Sequence, residues 1–248
     1  AHPHGIVLLS GPTGCGKSTT LYSFLRELNK PNVNIITVED PVEYTLEGIN
    51  QSQVNQKANL TFATALRSIL RQDPDIIMIG EIRDEETAQI AIRAAITGHL
   101  VFSTIHTNDA PGALTRLVDM GVTNYLVADA LVGVISQRLV KRLCPACKKK
   151  RRTNAREMVI LGLDKPVSIY RPQGCQFCNQ TGYRGRTAVH EIMYLNDKIR
   201  DAIVKGMSAE EIREVAKKNG MISLWNVGKT YVLQGITSIE ELMGLYME

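Results

Sequence analysis

Two groups of residues in this chain carry chemistry by type and spacing. The first is Gly11-Pro12-Thr13-Gly14-Cys15-Gly16-Lys17-Ser18, followed by Thr19. Glycines so placed let successive backbone N–H groups turn inward around phosphate oxygens, while Lys17 adds a mobile positive charge and Ser18 offers a hydroxyl to Mg²⁺. The apolar run Ile6-Val7-Leu8-Leu9 precedes the loop, and a helix-like segment opens at Lys17 with its positive dipole end toward the same phosphates. This context predicts binding of a nucleoside triphosphate, ATP or a relative, with Mg²⁺. Cys15 sits inside the loop and reads as a small tolerated residue rather than a redox thiol.

The second group is Cys144-x-x-Cys147 with Cys175-x-x-Cys178. Two such pairs converge on one tetrahedral Zn²⁺, because each tight turn places both sulfurs on one side. The interval between the pairs exceeds the usual ribbon spacing. Disulfides are the alternative, and a cytosolic nucleotide enzyme argues against them.

Acids and histidines complete the candidate machinery. Ile76-Ile77-Met78-Ile79-Gly80-Glu81 reads as a buried strand delivering a carboxylate at its C-terminal end, a Walker B candidate with Gly80 where the generic motif has Asp. Thr37-Val38-Glu39-Asp40-Pro41-Val42-Glu43 ends another strand in three acids able to face the metal or the attacking water. Gly98-His99-Leu100-Val101-Phe102-Ser103-Thr104-Ile105-His106 is a strand bracketed by histidines, and His106 and Thr104 would reach the same edge.

The elements that must position these groups follow from periodicity. Short β runs alternate with amphipathic helices to about residue 140, the pattern of a parallel sheet covered by helices. Strands are predicted at Gly5–Ser10, Asn34–Val38, Ile76–Gly80 and Leu100–Thr104, with an extra one near Gln51–Asn55. Helices are predicted at Lys17–Asn29, Phe62–Gln72, Glu85–Ile96, Pro111–Met120 and Tyr125–Leu139. From Cys144 to about Arg186 the chain is basic and turn-rich, and after that it reads mostly helical. Ser208-Ala209-Glu210-Glu211 and Ser238-Ile239-Glu240-Glu241 open two of those helices as capping boxes.

Composition narrows the class. With 248 residues, 44% hydrophobic and 22% charged, the chain has ordinary globular usage and can bury one large core plus a small appendage. No segment approaches the roughly 20 apolar residues of a membrane span, and the first residues are not a signal peptide, so a cytosolic location is expected. The start lacks Met and enters the first core strand at once, which suggests that an N-terminal region has been cut away. The net charge of +4 is modest, although Lys148-Lys149-Lys150-Arg151-Arg152 is locally basic.

Four segments together resemble the secretion ATPase superfamily, and more narrowly the GspE/PilB group, the hexameric ATPases of type II secretion and type IV pilus assembly. They are the phosphate loop through Tyr22, Val38 to Tyr44, Leu70 to Asp75 with Met78 to Ala88, and Gly98 to Ala110. The resemblance implies an α/β fold: a RecA-like P-loop core with helices around a mostly parallel sheet, over residues 1–142. It implies a tetracysteine zinc insertion at 143–186 and a helical C-terminal subdomain at 187–248. In that family the Walker B strand also ends in Gly-Glu, so Glu81 would be the Walker B glutamate, Glu43 the Asp-box glutamate and His106 the γ-phosphate histidine. The zinc would be structural, since four thiolates leave no open coordination site, and its presence favours assembly or secretion over pilus retraction.

The resemblance also implies a homo-hexamer bound peripherally at the cytoplasmic membrane face through an inner-membrane platform protein. Arginines completing the site would come mainly from a preceding domain, so this chain is expected to bind Mg-ATP but to hydrolyse it feebly. Arg67, Arg71, Arg83, Arg116 and Arg138 are further candidates for contacts across a subunit interface, each more in keeping with a surface or structural ion pair. The competing reading is a nucleic-acid-dependent P-loop ATPase with a zinc ribbon, suggested by the basic residues around Cys144 and Cys147. With 5% aromatic residues, no stacking platform for single strands is visible, and nucleic acid is not expected as a partner.

Overall fold

The computed structural model describes residues 4–247. In chain order the elements are β1 (Gly5–Ser10), α1 (Lys17–Leu28), β2 (Ile35–Glu39), β3 (Asn50–Gln53), α2 (Phe62–Ile69), β4 (Ile76–Ile79), α3 (Glu85–Ile96), β5 (Leu100–Ile105), α4 (Ala110–Asp119), α5 (Asn124–Ala130) and β6 (Leu131–Leu143). They continue with β7 (Lys149–Arg152), α6 (Ala155–Leu161), β8 (Ser168–Arg171), β9 (Tyr183–Tyr194), α7 (Asp197–Val204), α8 (Ala209–Lys218), α9 (Leu224–Leu233) and α10 (Ile239–Met247). Two compact units result, neither of them one continuous stretch of chain. The first gathers residues up to Ser136 with Ile192–Met221, and the second gathers Gln137–Glu191 with the residues from Ile222 onward. The helical tail expected over 187–248 is therefore shared between the two.

The larger sheet has the strand order β3-β2-β4-β5-β1-β6-β9. Every pair from β3 through β6 is parallel. A parallel sheet needs apolar cover on both faces, and the sequence supplies it. Ile77 and Ile79 join one buried cluster with residues of α2, α3 and α4, whereas Ile76 and Met78 join another with Leu21, Tyr22 and Leu25 of α1. α3 starts on Asp84, whose side chain accepts from the Thr87 N–H, and α8 starts on the Ser208–Glu211 capping box that its sequence announces.

One predicted helix is wrong. Residues Tyr125–Leu139 do not form a single helix: α5 ends at Ala130 and the chain continues as a thirteen-residue strand. Leu131, Val134, Ile135 and Arg138 fall at helical spacing, so the local pattern is ambiguous. Tertiary partners decide it. β1 pairs in parallel with Leu131–Ser136, satisfying the backbone groups on its other side. Arg200 ends the helix, donating from Nη2 to the Leu131 carbonyl at 3.0 Å and from Nη1 to the carbonyls of Ala128 and Asp129. β9 is a second departure from the helical expectation after residue 186. Its buried Val189, Glu191 and Met193 alternate with outward residues, as a strand requires.

The second unit is small, with a core of Leu161, Ile169, Val232, Ile239 and Leu242. Part of the basic run serves this fold. Lys148 donates to the Gly235 carbonyl at 2.8 Å and lies over the Tyr170 ring, and Arg151 forms a two-pronged ion pair with Glu157. Glu157 also accepts from the Asn154 N–H at 2.9 Å, closing the capping box of α6. The Arg151 hydrogen bond holds the Glu157 carboxyl below its ordinary value of 4.5. A depressed carboxyl stabilises the folded state above its unfolded value and stops doing so as pH falls through the folded one. Glu157→Gln is therefore expected to lower the Tm of this unit at pH 7, with the gap from the parent chain closing as pH is taken down from 4.5. Thermal scans from pH 7 to 3 check this, and a pH-independent gap would contradict it.

Candidate active site and metal centre

The pairing register brings the sequence-predicted groups to one edge of the first unit. Ser10 pairs with Ile105, Ile79 pairs with both Val38 and Ser103, and β1, β2, β4 and β5 all run the same way. The phosphate loop, the acid turn, Glu81 and His106 therefore all follow the C-terminal ends of neighbouring strands, where open α/β sheets bind ligands.

Within the loop Gly11, Gly14 and Gly16 have φ of 140°, 79° and 88°, in the region that favours glycine. Gly16 is the N-cap of α1, which has no side-chain cap and no acid in its first turn, so no negative side chain competes at the positive end of its dipole. Lys17 is buried, with its ammonium donating to the carbonyls of Gly11 at 2.7 Å and Pro12 at 3.0 Å. Thr13, Ser18 and Thr19 are exposed at the loop's open side, while Cys15 is 5% exposed.

Gly80 has a steric explanation. Its N–H donates to the Val38 carbonyl at 2.7 Å, and a Cβ there would lie 3.3 Å from Glu39 Cα and 3.4 Å from that carbonyl. An aspartate at this position would press on the neighbouring strand. Thr104 clamps the turn from the other side, its hydroxyl donating to the Gly80 carbonyl at 2.7 Å and its carbonyl accepting from the Ile82 N–H at 3.0 Å. Glu81 is thereby held nearly buried, with Oε2 ion-paired to Arg83 Nε and 3.4 Å from His106 Nε2.

The acid turn sorts its carboxylates. Glu43 is exposed, and only its backbone N–H is engaged here, donating to Tyr22 Oη at 3.2 Å. Glu39 is the buried acid: it accepts from Tyr22 Oη, from Thr37 Oγ1 at 2.6 Å and from Gln51 Nε2 at 3.1 Å. The sequence offers three acids, of which the family resemblance names Glu43; the burial of Glu39 arises only once residues 22, 37 and 51 converge on it. Burial and then the adjacent Glu39 push the Tyr22 hydroxyl up to about 12, so it stays a donor at neutral pH. Tyr22→Phe is expected to destabilise the chain by about 1–2 kcal/mol and to loosen the acid turn, read from urea midpoints and from amide exchange at Glu43. An unchanged midpoint would count against the network. Among the arginines, Arg67 pairs with Glu86 and Arg138 is buried, whereas Arg71 and Arg116 are exposed.

In the second unit the four Sγ atoms of Cys144, Cys147, Cys175 and Cys178 lie within 4.8 Å of one another, and no disulfide joins them. Three edges measure 3.9 Å (Cys144–Cys175), 3.8 Å (Cys147–Cys178) and 3.7 Å (Cys175–Cys178). A ZnS₄ tetrahedron with bonds of about 2.3 Å has edges of about 3.8 Å, so the donor set fits zinc. Burial opposes ionisation of Cys178, but the N–H groups of Cys175 and Gly182, each 3.2 Å from its sulfur, together with the thiols of Cys175 and Cys147 bring it down to about 6, while burial pushes Cys147 of the same cluster up to about 11.

Comparison with known proteins places this arrangement. The model of the type II/IV secretion system protein family matches residues 1–244. The chain belongs to that family. Among its curated members, the type II secretion system protein E of Pseudomonas aeruginosa is 51% identical over 99% of this chain and 49% of its own length. The type IV pilus assembly ATPase PilB of Thermus thermophilus is 52% identical over 99% of this chain and 28% of its own length. The chain thus spans about half, or less, of the family members it matches. Among solved structures, the pilus retraction motor PilT with bound ADP is 31% identical with a TM-score of 0.74, over 98% of this chain and 61% of that one. The Legionella pneumophila ATPase DotB follows at 26% and 0.73. These similarities agree with the mostly parallel α/β fold of this chain, and among the described residues no helix is long and apolar enough to cross a membrane.

Proposed function

We propose that this chain is the ATP-hydrolysing motor domain of a type II secretion or type IV pilus assembly machine. The observation that carries the reading is the convergence of the Lys17–Ser18 loop with Glu81 and His106 on one sheet edge, the two side chains 3.4 Å apart. Phosphoryl transfer asks the protein for positioning and charge neutralisation more than for covalent chemistry. Backbone N–H groups of the loop and the α1 terminus would cradle the phosphates of ATP, with the Lys17 ammonium turned from its own loop carbonyls toward the β- and γ-oxygens. Ser18 would hold Mg²⁺, which neutralises charge on those oxygens. Glu81 would orient the attacking water and accept its proton, and His106 beside it would donate to the γ-phosphate. Glu39 would reinforce the negative field at the metal, and Glu43, on the exposed arm of the same turn, would reach metal or water. The four cysteines would hold zinc as a structural staple.

By analogy with its relatives, the chain would act as part of a hexameric ring at the cytoplasmic face of the inner membrane, docked to a platform protein. The names of those relatives favour this over the nucleic-acid motor, and Lys148 and Arg151 are engaged in the fold. Steady-state Mg-ATP hydrolysis across a wide range of protein concentration, with and without DNA and with Lys17→Ala as the blank, tests the proposal. Activity rising faster than linearly with protein and indifferent to DNA is the expected result. Linear activity strongly stimulated by DNA would overturn it.

A further inference from the structure

We infer that Arg213 of α8 is a positioning residue for His106, acting through Asp109. The inference rests on the ATPase reading above. His106 leaves β5 into a short turn that ends at Asp109, the N-cap of α4. The Asp109 carboxylate divides its work: Oδ1 accepts from the Gly112 N–H at 2.7 Å, and Oδ2 accepts from Arg213 Nη2 at 2.7 Å. Arg213 is itself held, its Nε donating to Glu210 at 2.9 Å. Both members of the Asp109 pair are largely shielded, at 22% and 27% exposure, so water screens it less than it would a surface pair.

The turn's backbone is tied down by neutral groups as well. Ser10 at the mouth of the phosphate loop and Thr107 donate to the Asp109 carbonyl at 3.5 and 3.1 Å, and Ser136 of β6 donates to the Asn108 carbonyl at 3.4 Å. Arg213 supplies the charged contact, and it comes from an element far along the sequence. Ile212 and Ala216 of α8 pack in one cluster with Leu114 and Leu117 of α4, so the guanidinium is delivered from a fixed wall. His106 is fixed on one side by the end of β5 and on the other by Asp109. Releasing Asp109 therefore frees the imidazole relative to Glu81, and misplacement on the scale of an ångström is enough to slow a phosphoryl transfer.

The experiment compares the parent chain with Arg213→Met, Arg213→Lys, Asp109→Asn and, as blank, Lys17→Ala. Each is measured for kcat and KM with Mg-ATP, for amide exchange over residues 106–112, and for Tm. Asp109→Asn is informative because its amide oxygen can still cap α4 while the charge is lost. Arg213→Met and Asp109→Asn are expected to lower kcat about tenfold, with KM within about twofold, and to speed exchange across the turn. Arg213→Lys is expected to recover part of both. Unchanged turnover and exchange in Arg213→Met would overturn the inference, as would a loss of kcat that tracks Tm and is absent from Asp109→Asn. A parent chain that neither binds Mg-ATP more tightly nor hydrolyses it faster than Lys17→Ala would instead sink the ATPase reading. The exchange arm would then decide alone whether Arg213 holds the turn, with unaltered exchange rejecting it.

Discussion

Glu81→Gln is expected to lower ATP turnover about a thousandfold while nucleotide affinity stays within about threefold of the parent chain. The substitution keeps size and shape in a nearly buried site, so the turn clamped by Thr104 has no reason to move. What it removes is the negative charge that Arg83 and His106 now share, and with it the group able to take a proton from water. On the proposed mechanism binding would depend on other parts, the loop amides and Lys17, so affinity is expected to be spared. Lys17→Ala should show the converse, weak binding first. Single-turnover hydrolysis alongside fluorescent-nucleotide titration separates the two. Turnover within tenfold of the parent for Glu81→Gln would move the catalytic base elsewhere, with Glu39 the next acid to test.

Chelation of zinc is expected to unfold the second unit while leaving the first with its fold. That unit's main apolar cluster is built on Leu161, Ile169, Val232, Ile239 and Leu242, a small core for a fragment of this size to hold without a staple. A structural zinc contributes on the order of 10 kcal/mol of apparent binding energy near neutral pH, and in a site formed only on folding that energy is stability. Metal analysis should give one zinc per chain, and a strong chelator should abolish the unit's thermal transition. Acidification should weaken the site, because ligand thiols must lose protons to bind. Retention of the transition in metal-free protein, or in Cys178→Ser, would reject a structural role.

What could be read from the sequence follows the range of the forces involved. The phosphate loop is legible because glycines, Lys17 and Ser18 act within eight residues. Gly80-Glu81 and His106 are legible because each directly follows an apolar strand, and strand ends in a parallel sheet share an edge. The cysteine pairs are legible because the turn chemistry of C-x-x-C is local. Glu39 is not, since its burial depends on Tyr22, Thr37 and Gln51 meeting in space, and from the sequence it is one acid among three. β6 is not, because Leu131, Val134 and Ile135 fit a helical face as well as a strand buried on both sides, and the decision lies with the backbone of β1 and the guanidinium of Arg200. The ion pair between Arg213 and Asp109 joins α8 to the N-terminus of α4, and nothing at either position announces the other.

The non-contiguous make-up of the first unit bears on how the protein is born. The last residues of β9, from Ile192, belong to it, and Met193 and Leu195 join its main core, yet the whole of residues 137–191 is translated before they exist. At about 5–20 residues per second, the nascent first unit waits several seconds without its last strand segment and the helices that follow it. An unpaired parallel edge next to apolar surface is where chains stick to one another. The order of synthesis therefore makes a chaperone, or rapid formation of the cysteine-bearing unit in the interval, a condition for good yield.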